Sequence, residues 1–286
     1  MNDIKLNKQN NNTTRIKFHH GVPYISYLAL EKIPWLCHGF STRIGGVSTG
    51  YLSSMNLGHG RGDSEQNIIK NHELMADAIG FDAKNIVASR QTHTTNIKLV
   101  SKEDIGKGIY KERDYDNIDG MITNEKEIVL TTYYADCVPL YMVDTKNKAI
   151  GLSHSGWRGT VERIGKVTLK RMAEEYGTNP KDVIVCIGPS ICKECYEISE
   201  DVAVEFIKEF PENIDNILEN KGNGKYMLDL WSCNKIIFEE CGVLEENIHL
   251  PDVCTCCNHQ VMFSHRATNG QRGNLAAFLA VSYTHL

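Results

Sequence analysis

The sequence predicts a mixed α and β fold (α+β), a single domain in which helices layer against a mixed sheet. Three observations lead there. Strand-length apolar segments follow one another so closely between Glu127 and Ser153 that part of the sheet must pair antiparallel, because parallel pairs need long crossovers. Capped segments with helical spacing stand between other strands. No Pro/Ser-rich linker, composition shift or internal repeat marks a boundary.

The elements follow in order. Residues 1–16 read as a disordered or loosely held arm: Asn2, Asn7, Asn10, Asn11 and Asn12 leave it little to bury. The catalytic domain is expected over residues 17–281. Leu36 to Ser41 reads as a strand entering a glycine-rich loop, Thr42 to Gly62. Asp63 or Ser64 can cap a helix to about Ala78, with Gly80 as its stop. Ile86–Ser89 and Ile97–Val100 read as short strands. Glu127–Tyr133, Val138–Val143 and Ala149–Ser153 follow as three closely spaced ones. Thr160 is expected to cap a helix to about Tyr176, with Val161, Ile164, Thr168 and Met172 on one face. Asp182–Ile187 reads as a strand, and Ser199–Phe210 and Leu228–Cys241 as helices.

Composition narrows the function classes. The chain has 286 residues and a formal charge of −5, which argues against a nucleic-acid binder that relies on bulk positive charge. A local basic pocket for one phosphate remains compatible with it. No stretch reaches the roughly 18 apolar residues of a membrane span, and the Asn-rich start has no signal-peptide run. The expected compartment is the reducing cytoplasm. There, 10 cysteines are more readily metal ligands, catalytic groups or small buried residues than disulfides. Oligomeric state leaves no mark in the sequence.

Three segments carry chemistry: Gln91-Thr92-His93, Ala135-Asp136-Cys137-Val138-Pro139, and Ser153-His154-Ser155-Gly156-Trp157-Arg158-Gly159. Each puts a soft or borderline ligand where a strand meets a loop, a place that is rigid yet reachable. Three readings stand open on pattern alone. His93, Cys137 and His154 can form a two-His, one-Cys zinc site with an open position for water, whose pKa zinc lowers to about 7. Cys137 can be a nucleophile activated by either histidine. Or Cys137 is a buried apolar residue and the histidines are structural.

Anion-binding candidates are Arg43, in Thr42-Arg43-Ile44-Gly45-Gly46, and Arg158, in the glycine-flanked turn feeding a helix start at Thr160. The run Gly58-His59-Gly60-Arg61-Gly62 offers more backbone N–H groups. Asn56 can bond a sugar or base, Arg266 can line a pocket, and Asp136 neighbours Cys137 as a candidate proton-transfer group, although on a strand it would point away. Cys192-Lys193-Glu194-Cys195 and Cys254-Thr255-Cys256-Cys257 offer a second, structural metal site read as Cys-x-x-Cys with Cys-x-Cys. That spacing is no standard zinc ribbon, and buried thiols near the pocket are the favoured reading.

The ordered set of motifs resembles the YfiH/YlmD family, also called the laccase-domain or polyphenol-oxidase-like family and described as purine nucleoside phosphorylases. The segments are His38 to Ser48, Ser54-Met55-Asn56-Leu57-Gly58, Gln91-Thr92-His93, Asp119-Gly120-Met121-Ile122-Thr123, Ala135 to Pro139, His154 to Gly159, Ile187-Gly188-Pro189-Ser190-Ile191, Cys195-Tyr196-Glu197 and Asp229-Leu230. The resemblance runs from about residue 20 to about residue 280. The resemblance implies a single mixed domain similar to a bacterial deamidase toxin with a Cys-His site. It implies a metal site at His93, Cys137 and His154, zinc or copper, and phosphorolysis of adenosine, inosine and methylthioadenosine, with adenosine deamination. Under it, Arg43 and Arg158 would hold phosphate. Thr94 stands where the family has Gly and His265 where Tyr is common, which bears on substrate preference. Ser282 to Leu286 match no part of the pattern and read as a candidate non-native tail. The alternatives are a metal-free cysteine hydrolase using Cys137 and His154, a copper-dependent polyphenol oxidase, and a non-catalytic partner-binding domain. The 11 histidines include no His-x-His pair, which weighs against multicopper oxidation.

Overall fold

The computed structural model describes residues 4–7 and 12–282; most of the expected tail and part of the N-terminal arm lie outside them. In chain order the strands and helices begin with β1 (Thr14–His19), β2 (Val22–Tyr27), β3 (Leu36–Ser41), α1 (Glu65–Ile79), β4 (Ile86–Ala88), β5 (Ile97–Leu99), β6 (Gly120–Thr123) and β7 (Val129–Tyr134). They continue with β8 (Val138–Asp144), β9 (Ala149–Ser155), α2 (Trp157–Val161), α3 (Ile164–Tyr176), β10 (Val183–Ile187), β11 (Glu197–Ser199) and α4 (Glu200–Glu209). The rest are α5 (Ile214–Ile217), β12 (Leu218–Gly222), β13 (Lys225–Leu228), α6 (Leu230–Glu240), β14 (Ile248–His249) and β15 (Leu275–Val281).

The β structure divides into two six-stranded mixed sheets and a small third one. The first runs β1-β2-β3-β15-β7-β4 and the second β14-β10-β8-β9-β6-β5. Period-two alternation explains how they stack. In β8, Tyr141 and Val143 face a shared core with Ile25, Phe40, Leu130 and Leu279 of the first sheet. Leu140 and Met142 face the other way, onto Ile164, Leu169 and Met172 of α3 and Phe238 of α6. The first sheet's outer face, with Ala276 and Phe278, packs on Met75 and Ala78 of α1. The order is therefore helix, sheet, sheet, helix. Strands buried on both faces read as unbroken apolar runs, as β15 does.

Most expected elements are present, and three differ instructively. β8 and β9 form the expected antiparallel hairpin, but the adjacent β7 joins the other sheet, antiparallel to β15 and parallel to β4. The helix begins at Trp157 rather than Thr160: Gly156 takes the cap position in an extended conformation. The Thr160 hydroxyl is spent on the Gly156 carbonyl and Ser155. Arg163, at φ 58°, breaks the run before α3, and its guanidinium pairs with Glu209 and Glu240. The N-terminal stretch is docked where described. β1 starts at Thr14, Thr14 bonds to Asp252, and Asn7 and Asn258 exchange two hydrogen bonds of 2.7 and 3.0 Å. Among the described residues no helix is long and apolar enough to cross a membrane.

Candidate active site

Hairpin register places two of the three proposed ligands side by side. β8 and β9 run antiparallel with Pro139 opposite His154 and Val138 opposite Ser155. Cys137, just before β8, therefore lies against the end of β9. β6 pairs on the other side of β9, with Gly120 opposite Ser153, so Asp119 arrives beside His154. His93 comes from the loop between β4 and β5, held at φ 65°.

The donor atoms of His93, Cys137 and His154 lie within 4.8 Å of one another. Cys137 Sγ is 4.0 Å from His93 Nε2, and the two imidazoles cross at 75° with centroids 4.9 Å apart. Close approach depends on Gly156: a Cβ there would stand 2.8 Å from His93 Cδ2 and 3.3 Å from Cys137 Sγ. His93 is exposed, Cys137 half-buried and His154 only 4% exposed.

Asp119 organises this site, and sequence reading gave it no role. Its buried carboxylate accepts backbone N–H bonds from Thr92, His93 and Thr94 at 2.9–3.0 Å. It also accepts the Thr94 hydroxyl at 3.1 Å, so the departure at Thr94 adds a bond to this cradle. His154 Nδ1 donates to Asp119 Oδ1 at 2.9 Å, which leaves Nε2 as the free ring nitrogen. The signal available in the sequence was an Asp-Gly at a strand start, too common to read alone.

The electrostatics follow from these contacts. Burial works to raise the Cys137 thiol, but His154 and then His93 outweigh it and hold it down at about 6. Burial disfavours a charged His154, yet Cys137 and Asp119 push it up to about 9. Burial alone would raise Asp119; the bond from His154 and the amide cradle bring it down to about 2. Cys137 and His154 thus each favour the charged form of the other, and Asp119 favours the charged form of His154.

His93, Cys137 and His154 border a cleft of about 390 Å³, within the range of small-molecule sites. Its basic lining comes from Arg61, Arg90, Arg113 and Arg272. Arg90 pairs with Asp116, and Arg113 donates to the Ser89 carbonyl at 2.8 Å. Asn274 Oδ1 accepts from Arg61 Nε at 3.1 Å and Arg272 Nη1 at 2.7 Å. Arg272 is 9% exposed and its buried Nε has no partner. Burial, and then Arg61, bring its guanidinium down to about 10.

The other expected residues lie outside this lining. Arg43 donates to the carbonyls of Ser53, His259 and Tyr51 and sits over the Phe263 ring. Asn56 is fully buried and bonds Gly58, Asp63 and Asn274. Arg158 is exposed, its guanidinium 4.1 Å from the Trp157 ring centroid. Arg266 donates to the carbonyls of Cys195 and Glu197. Asp136 is off the strand at φ 88°. Its carboxylate is taken by Thr255 at 2.6 Å, Ser264 at 3.0 Å and the Arg266 N–H at 2.7 Å. Of the two glycine-rich runs, only Gly58 to Arg61 reaches the cleft.

Comparison with known proteins places this geometry. Residues 37–282 match a family model described as multi-copper polyphenol oxidoreductase laccase. The chain is 34% identical over 247 residues to the purine nucleoside phosphorylase YlmD of Bacillus subtilis, covering 85% of this chain and 87% of that one. It is 31% identical over 258 residues to a purine nucleoside phosphorylase of Bacteroides thetaiotaomicron, covering 90% and 96%. Among solved structures it resembles the hypothetical protein YfiH of Bacillus licheniformis, with TM-score 0.87, 28% identity and coverage of 93% and 99%. YlmD of Geobacillus stearothermophilus gives TM-score 0.86 at 28% identity, covering 93% and 98%.

Proposed function

The chain belongs to the laccase-like family of that model, the YfiH/YlmD family, and we propose that it is a zinc-dependent purine nucleoside phosphorylase with adenosine deaminase activity. One observation carries the reading. A two-His, one-Cys donor set and a buried arginine with an unpartnered Nε border the same small-molecule cleft.

The donor set suits zinc, which takes imidazole nitrogen and thiolate. His93, Cys137 and His154 would hold it, with the Asp119 bond fixing the His154 tautomer. Zinc bound there supplies a Lewis acid that activates water near neutral pH. The rest of the chemistry belongs to the chain. Arg272 and Arg61, tied by Asn274, hold phosphate through charge-assisted N–H bonds. Phosphate oxygen then bonds to the ribose anomeric carbon as the bond to the purine nitrogen breaks, giving base and ribose 1-phosphate. For deamination, water oxygen bonds to the ring carbon bearing the amino group, and ammonia leaves. Adenosine, inosine and methylthioadenosine are the proposed substrates. Asp136, occupied by three donors, acts by positioning Cys137.

A second reading has its own support. Cys137, His154 and Asp119 also form the nucleophile, base and orienting carboxylate of a cysteine hydrolase. Multicopper oxidation has less: among the described residues, the other histidine-containing donor group is His19, His20 and Asp77, all exposed.

The test is adenosine incubated with and without phosphate, with adenine, inosine and hypoxanthine resolved by chromatography. Adenine that requires phosphate, and inosine that does not, support the reading; no nucleoside turnover overturns it. Metal content separates the alternatives: stoichiometric zinc supports the phosphorylase, no metal the cysteine hydrolase, copper the oxidase.

A further inference from the structure

A second cysteine cluster lies apart from Cys137. Cys192 and Cys195 come from the loop between β10 and β11, Cys254 and Cys257 from the segment between β14 and β15. A bridge of Ser190 with Cys254 and the Thr255 N–H bond to the Ser190 carbonyl at 3.1 Å bring the two segments together. The grouping differs from the Cys-x-Cys expectation: Cys254 joins with Cys257, giving two Cys-x-x-Cys pairs, and Cys256 stays out of the group.

Four observations point to a metal. The four Sγ atoms lie within 4.8 Å of one another. Cys195 and Cys257 are 3.4 Å apart, and Cys192 and Cys257 4.0 Å. Zinc–sulfur bonds of about 2.3 Å in a tetrahedron separate the sulfurs by about 3.8 Å, and the observed distances bracket that value. A disulfide requires about 2.05 Å, and all four cysteines are free. Finally, Cys254 Sγ accepts backbone N–H bonds from Cys192 at 3.3 Å and Cys257 at 3.4 Å, an arrangement suited to a thiolate ligand.

We propose that Cys192, Cys195, Cys254 and Cys257 bind one structural zinc ion. The ion cross-links two segments that share little other regular structure. One of them carries Thr255, Ser264 and Arg266, the donors on Asp136, so the ion also braces the turn that presents Cys137. Its effect on turnover is therefore indirect, through position.

The test is zinc content per chain by mass spectrometry, in protein isolated without oxygen or added metal. Cys257→Ser loses one equivalent that Cys137→Ser retains. This subtraction holds whether or not the His93, Cys137 and His154 site carries zinc, so it fails independently of the proposed activity. A second measurement needs no variant. Cys257 is exposed, yet iodoacetamide should label it at least tenfold more slowly before than after chelator treatment of the native protein. Equal zinc content in Cys257→Ser and the parent, equal labelling rates, or a Cys195–Cys257 disulfide in the isolated protein would each overturn the proposal.

Discussion

His154 Nδ1 donates to Asp119 Oδ1 at 2.9 Å, and the same carboxylate accepts the amides of Thr92, His93 and Thr94. One buried acid thus fixes both the orientation of one imidazole and the loop that carries the other. Asp119→Asn keeps an acceptor oxygen but removes the charge. It should weaken zinc binding by roughly 10–100-fold, read by competition with a chromophoric chelator, while circular dichroism stays unchanged. Unaltered affinity would remove Asp119 from the site.

Gly156→Ala should disable the site without unfolding the protein. The added methyl would stand 2.8 Å from His93 Cδ2 and 3.3 Å from Cys137 Sγ, so both side chains must move away from it. A shift near 1 Å costs roughly 100-fold in rate, so kcat/KM should fall by about that factor. Full activity would show that the three donors need not converge.

Arg272→Ala should raise the KM for phosphate by roughly 10–100-fold, the range for losing a hydrogen bond to a charged group. Arg158→Ala, whose guanidinium rests on Trp157 at the surface, should leave it within about twofold, the small effect expected of an exposed group. The reverse ranking would move the phosphate to the turn at Gly156.

How much of this was legible follows from particular residues. Cys137 and His154 sit in recognisable motifs that the β8–β9 hairpin brings together at its open end, so local pattern sufficed. The cleft arginines come from four separate stretches of the chain with no local signature; only folding brings Arg61 and Arg272 onto Asn274. Arg158 had the stronger local signature, a glycine-flanked turn, but its guanidinium lies over the neighbouring Trp157 ring and outside the cleft lining. β7 and β8 were legible as strands, yet spacing carries no information about which sheet each joins. The arm's docking also lacked a signal, since Asn7 finds its partner in Asn258, far along the chain.

Acid should destabilise the fold through two buried histidines. His72 Nδ1 donates to the Ile68 carbonyl and Nε2 accepts from Tyr133. His38 Nε2 accepts the Tyr27 N–H at 3.0 Å. Burial holds both down at about 4, below the unfolded value near 6.5. Between those values the unfolded chain binds more protons, so stability is full above about pH 6.5 and falls as pH drops toward 4. The loss approaches on the order of 3 kcal/mol per histidine. Urea midpoints from pH 7 to 4 should fall accordingly, and less steeply in His72→Gln. A flat profile would contradict the neutral assignment.

The most direct test of the central claim is ribose 1-phosphate formed from adenosine and inorganic phosphate, measured for the parent protein and Cys137→Ala. The account predicts phosphate-dependent product from the parent and at least a hundredfold less from the variant. Undiminished ribose 1-phosphate from Cys137→Ala, or none from zinc-loaded parent protein, would contradict it.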